Sequence, residues 1–288
     1  PKTISVPIAA TGSSATMKYF QVSISAPGGG ASLGAPNAAR VFLADGAAQA
    51  YPAGWASGAV GAFAEPPPET VYLSGGRFVS QMTGGNLGAT GADAVNFVYW
   101  NRSGSGMMTA YLPAPVPAQA SANAKLGLMI RENTSDPSGR MVAVAVAGDA
   151  SGARVLSRAT AGTNASQTGA TTGFTAPCWL RLIRDGDLFV GQASTSGTAW
   201  TTVARITVAG VPSDAVWGLF HVSAAGAGAQ AVSARCRSRA SPGRCRWGRV
   251  ARHRRSWDGM VPTISGPSSR WSGGWRAGHS PKSARPPR

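Results

Sequence analysis

The sequence predicts an all-β protein whose centre is a two-sheet sandwich, and three observations predict it. Apolar side chains alternate with polar ones in run after run, at period 2 rather than 3.6. These runs recur every 8–12 residues or so between Gly, Asn, Asp and Pro clusters, the spacing of short strands in a sandwich. No segment of the 288 residues carries a helical period.

Composition agrees. Hydrophobic residues make up 43% of the chain, enough to bury a core, while charged residues reach only 13%, about half of the roughly 25% usual in soluble domains. No run approaches the roughly 18 apolar residues that a membrane helix needs, so no membrane partner is expected. The net charge of +16 is concentrated at one end: residues 235–288 hold 13 Arg and one Lys against one Asp. Residues 1–234 carry 13 basic and 10 acidic side chains. Nucleic acid or another polyanion is therefore expected to bind only through the tail, if at all. Three cysteines, Cys178, Cys236 and Cys245, form no C-x-x-C pair and no metal-ligand cluster. Cys178, inside a strand-like run, is expected to be a buried thiol.

Taken in order, residues 1–45 alternate as strands broken by a Gly-rich turn: Thr3–Ile8, Tyr19–Ile24, Pro27-Gly28-Gly29-Gly30, then Ala39–Leu43. The chain opens inside the first of these, so its start is expected to be a cut end. Residues 46–76 are rich in Ala, Gly and Pro, with Pro66-Pro67-Pro68 blocking regular pairing, and read as a linker plus the first strand of the sandwich, where Trp55 pins that strand. Residues 77–234 carry the sandwich. Its clearest strands are Val95–Trp100, Lys125–Arg131, Met141–Val146, Trp179–Arg184, Leu188–Ala193, Thr201–Ala204 and Val216–Val222. Asp185-Gly186 predicts a two-residue type I′ turn. Residues 235–288, rich in Arg, Pro, Ser and Trp without any period, are expected to be disordered and to derive from a frameshift.

Two resemblances follow from particular words. Lys2–Ile8, Phe20–Ser25, Ala31-Ser32-Leu33-Gly34 and Leu43-Ala44-Asp45 resemble the closing, Ig-like part of a Calx-β domain. Such domains in ion exchangers bind calcium through clustered carboxylates, but Thr11–Thr16 offers no acid, so calcium is not expected here. Ala94–Tyr99, Ala124–Glu132, Pro177–Phe189, Ser194–Trp200 and Val216–Leu219 resemble, in order, the concanavalin A-like lectin/glucanase jelly-roll domains of large secreted bacterial proteins, over about residues 51–234. Cys178 stands where that family usually has an aromatic, and Ser196 where an Asp often completes an S-x-D-G-x-x-W hairpin. The family also expects a closing strand after Ala231–Ala234, where Arg235-Cys236-Arg237 appears instead.

Catalysis is not expected. A glycosidase needs two facing carboxylates, and the paired E-x-D-x-x-E of related glucanases is absent. Glu132 has no partner at suitable spacing, and Asp136, Asp149, Asp185, Asp187 and Asp214 read as turn residues. His221 follows no nucleophile elbow, and Gly84–Gly88 is not followed by a helix that could cradle phosphate. No cofactor or metal is expected. Strand alternation places Asn96 with Trp100, Met129 with Arg131, and Trp179 with Arg181. Indole faces pack on sugar C–H groups and guanidinium donates to hydroxyls, which makes Asn96, Trp100, Arg131, Trp179 and Arg181 the candidate ligand-binding residues. A core role for Trp179 stays open beside this. The expectation is a monomeric, non-catalytic, carbohydrate-associated or adhesive module, extracellular or on the cell surface, with polysaccharide or a surface glycan as partner. The alternative is a structural spacer without a ligand.

Overall fold

A computed structural model describes residues 5–7, 18–34, 37–43, 48–63, 68–73, 76–88, 91–114, 121–149 and 151–223, and the backbone of Gln230–Cys236. The expected first strand is described only at residues 5–7, which are exposed and in no strand; the Thr11–Thr16 loop, Asp45, Cys245 and the tail beyond Cys236 lie outside the described residues. No helix occurs among the described residues.

In chain order the strands are β1 (Lys18–Ser23), β2 (Ala38–Leu43), β3 (Ala48–Gln49), β4 (Trp55–Val60), β5 (Glu69–Leu73), β6 (Arg77–Met82), β7 (Val95–Ser103), β8 (Gly106–Leu112) and β9 (Lys125–Arg131). They continue as β10 (Met141–Ala147), β11 (Ala153–Arg158), β12 (Ser166–Thr171), β13 (Cys178–Asp185), β14 (Leu188–Ser194), β15 (Thr201–Thr207), β16 (Asp214–Val222) and β17 (Gln230–Cys236). β1 and β2 pair antiparallel as a sheet of their own. The rest form a jelly-roll sandwich of two antiparallel sheets. One has seven strands, ordered β12-β11-β10-β9-β16-β7-β4; the other has eight, ordered β15-β14-β13-β8-β17-β6-β5-β3.

Period-2 alternation builds the core between them. β13 buries Cys178, Leu180 and Leu182 while Trp179, Arg181 and Ile183 stay half-buried on the other face. β9 and β10 contribute Leu126, Leu128, Ile130, Val142, Val144 and Val146 from the facing sheet. Trp55 of β4 points inward and stacks on Trp100 at 4.9 Å between ring centroids, with Phe78 at 5.0 Å. Trp55 is thus the expected pin. The outer face of the seven-stranded sheet is not left to solvent. Val95, Phe97, Met129, Met141, Ala143, Leu156 and Phe220 form a second apolar cluster there with Leu87 of a covering loop.

Three expectations change. The stretch expected to be a linker with one strand holds β3, β4 and β5. The closing strand is present: β17 runs on to Cys236 and lies between β6 and β8, pairing Val232 with Ser80 and Arg235 with Tyr111. The hairpin turn shifts by one residue. Asp185 pairs with Leu188, leaving Gly186-Asp187 as the loop. Only Gly186 has positive φ, at 60°. A type I′ turn needs positive φ at both positions, so a turn with Gly first and Asp second is type II′.

Candidate functional site

The most buried charges lie over the outer face of the seven-stranded sheet. Arg131 ends β9, Arg158 ends β11, and Asp93 comes from the loop before β7; the side chains of all three are 0% exposed. Arg158 donates from Nη2 to Asp93 Oδ1 at 2.7 Å and from Nη1 to Oδ2 at 2.9 Å, and Arg131 Nη1 reaches Oδ2 at 3.2 Å. The Gly88 amide donates to Oδ1 at 3.1 Å. The guanidinium hydrogens left over fix loops. Arg131 donates to the carbonyls of Asn133 and Asp136, both at 2.6 Å. Arg158 donates to those of Thr163, Pro137 and Gly139. Burial pushes the Arg131 guanidinium down from its ordinary value, opposed by Asp93. The cluster therefore works as a clamp on three loops.

One clamped loop walls a cleft of about 460 Å³, lined by Asn101, Arg102 and Ser103 at the end of β7, Glu132 to Ser135 after β9, and Asp214 and Val216 at the start of β16. Sheet register brings the pieces together: Ser103 opposes Asp214, and Asn101 opposes Val216. Ser103 Oγ donates to Asp214 Oδ1. Glu132 is tied at both oxygens, with the Arg140 amide on Oε2 at 2.7 Å and Arg140 Nη1 on Oε1 at 2.6 Å. Asn133 Oδ1 accepts from the Asp136 amide at 2.7 Å and turns the loop. The Ser138 hydroxyl, then its amide, holds the Asp136 carboxyl below the usual carboxylate range. Glu132 and Asp214 thus share a cleft although 82 positions apart, a partnership that sequence spacing could not show.

The five candidate residues divide. Arg131 is fully buried in the clamp, and Asn96 and Trp100 point between the sheets. Asn96 Nδ2 lies 2.9 Å from the Glu69 carbonyl, 3.0 Å from Thr70 Oγ1 and 2.9 Å from Ser80 Oγ. His221 Nδ1 joins the same buried group through Ser80 Oγ at 3.1 Å. Trp100 stacks on Trp55. Period 2 grouped these residues correctly but does not say which face is covered, and none of the three meets Trp179 or Arg181.

Trp179 and Arg181 do lie together, half-buried on the outer face of the eight-stranded sheet. Trp179 is 5.1 Å from Tyr111, ring to ring. Arg181 lies 3.7 Å over the Trp200 ring and donates to Thr109 Oγ1 at 3.3 Å and Gln192 Oε1 at 3.4 Å. The Ser194–Trp200 hairpin supports them. Ser196, where Asp was expected, still accepts from the amides of Thr198 at 3.2 Å and Ala199 at 3.3 Å. Gly197, at φ +75°, lies so close that a Cβ would come within 2.9 Å of the Trp179 ring. Cys178 is fully buried, and burial pushes its thiol up to about 12. No group of three or more His, Cys, Asp or Glu gathers among the described residues to hold a metal.

No protein-family model and no curated protein matches the chain. Among solved structures, a functionally unknown protein from Saccharomyces cerevisiae aligns at 12% identity and a TM-score of 0.45, over 58% of this chain and 88% of that one. A carbohydrate-binding module from Bacillus subtilis aligns at 14% and 0.41, over 63% and 95%. A lectin solved with galactose aligns at 7% and 0.42, over 63% and 90%. At such values the assignment of the fold rests on this chain's own strand order and register.

Proposed function

We propose that this chain is a non-catalytic carbohydrate-binding or adhesive module of a secreted or cell-surface bacterial protein, and that it takes a sugar in the cleft between β7, β16 and the 132–135 loop. One observation carries the reading. The cleft combines two carboxylates, a guanidinium, amides and hydroxyls with the apolar Val216, and its volume falls in the roughly 300–1,000 Å³ range of ligand sites. A sugar ring offers hydroxyls at its edge and C–H groups on its face, which such a lining complements. The clamp fixes the loop in advance, so little ordering entropy is lost on binding. Glu132 supports binding over hydrolysis, because both its oxygens are engaged by Arg140 and neither is presented to a glycosidic bond. The β1–β2 pair, within the segment resembling a Calx-β domain, supports a place among tandem β-modules of a surface protein.

The test is a glycan array on the full chain, followed by titration of neutral oligosaccharide hits against Asp214→Asn and Asn101→Ala. A hydrogen bond to a charged group is worth about 1.5–3 kcal/mol, so Asp214→Asn should weaken binding roughly tenfold or more, with no reducing sugar released. Failure to bind any glycan would leave a spacer role. Release of reducing sugar would overturn the non-catalytic assignment.

A further inference from the structure

We infer that the outer face of the eight-stranded sheet is a second glycan surface, separate from the cleft, built for an extended polyuronate chain laid across β8, β13, β14 and β15. The two outer faces of the sandwich are treated differently. Loops and a second apolar cluster seal that of the seven-stranded sheet, whereas along β8 and β13 every second residue stays half-exposed.

Register sorts that face into rows running across the strands. Tyr111 opposes Trp179, an aromatic row. Thr109, Arg181 and Gln192 form the next, joined by the hydrogen bonds given above, and Gln192 Nε2 extends it to Thr202 Oγ1 at 3.4 Å. Polar groups therefore repeat at the strand spacing of about 4.8 Å, close to the advance of one pyranose in an extended chain. Aromatic and apolar rows on either side suit the faces of the sugars, and the polar row suits their edges.

Charge chooses among polysaccharides. Where these rows cross β8, β13, β14 and β15, their charges are Arg181 in the polar row and the exposed Arg205, opposite Val190 in the row beyond. Arg205 has no ion-pair partner among the described residues. The nearest acid on this face, Asp185, stands at the hairpin turn and accepts from Ser105 Oγ at 3.1 Å. Trp200 beneath Arg181 fixes its guanidinium plane, and a planar fork pairs with a carboxylate bidentately. The two arginines lie two strands and one row apart, roughly 10 Å across the sheet and roughly 7 Å along the strands, so the chain runs obliquely from one to the other. In a ribbon-like polyuronate every second carboxylate faces the same side, so the guanidiniums meet alternate sugars.

Affinity electrophoresis and calorimetry of the full chain against soluble polygalacturonate, with a neutral β-glucan as control, test this. The chain should bind the polyuronate in preference to the glucan. Arg205→Gln, on an exposed residue, should weaken binding severalfold, and the double variant with Arg181→Gln at least tenfold, while Asp214→Asn leaves it unchanged. Equal affinity in all variants would overturn the proposal by assigning the polyanion to the Arg-rich residues 235–288. So would equal affinity for the neutral glucan. Failure of the parent chain to bind polyuronate, with cleft ligands still bound, would refute this surface and spare the cleft.

Discussion

Replacing Asp93 with Asn keeps the shape of the side chain but deletes its charge. Two fully buried guanidiniums, those of Arg131 and Arg158, then face each other without a counter-ion. Removing one partner of a buried pair costs about 3–5 kcal/mol, because the other charge remains desolvated. Here Asp93 also accepts four hydrogen bonds, three from guanidinium and one from the Gly88 amide. An Asn can accept only at its oxygen and turns its amide hydrogens toward cations. A loss of about 4 kcal/mol is therefore expected, a large share of the roughly 5–15 kcal/mol that holds a domain together. For a domain of this size that is a fall in Tm of about 8–16 °C. Urea unfolding followed by tryptophan fluorescence measures it directly. A companion variant, Asp93→Leu with Arg131→Met and Arg158→Leu, removes all three charges but also the donors to the carbonyls of Asn133, Asp136, Pro137, Gly139 and Thr163, so it should recover only part of the loss. A cost below about 1 kcal/mol for Asp93→Asn would refute the argument that the clamp is dry and charge-coupled.

Three further outcomes follow from single contacts. Gly197→Ala places a methyl against the Trp179 ring in a left-handed backbone conformation, and should cost about 1–2 kcal/mol in urea unfolding while altering Trp179 emission. Asp136, whose carboxyl is held down by Ser138, stabilises the fold above the unfolded value near pH 4 and loses that contribution as pH falls through the folded value; thermal unfolding of Asp136→Asn should thus lose less on acidification from pH 5 to 2 than the parent. Cys178, raised to about 12 by burial, should resist iodoacetamide at pH 8 until the chain is unfolded, read by site-resolved mass spectrometry.

Much of the fold was legible because alternation survives wherever one face is buried. The runs at 125–131 and 141–146 match β9 and β10, and 179–184 and 188–193 match β13 and β14 within a residue or two. β12, with Ser166–Thr171 almost wholly exposed, has no apolar face to reveal it. β3 and β5 were hidden by the Ala, Gly and Pro around them, and β4 was marked only by Trp55. The site was harder to read. Period 2 put Arg131 beside Met129 and Asn96 beside Trp100, as observed, but the sequence does not say that a loop carrying Asp93 covers the first pair or that the opposite sheet covers the second. Asp214 reads as a turn residue because it precedes a strand; only β16 lying beside β7 makes it a neighbour of Ser103.

The position of β17 also bears on how the chain reaches its native state during synthesis. The strand lies inside the eight-stranded sheet, between β6 and β8, yet it is made after every other described strand of the sandwich. Until residue 236 leaves the ribosome, that sheet exists as two halves with unpaired hydrogen-bonding edges at β6 and β8. Translation proceeds at about 5–20 residues per second, so each nascent chain holds this gap open for seconds, in the state most prone to pair with its neighbours on a polysome.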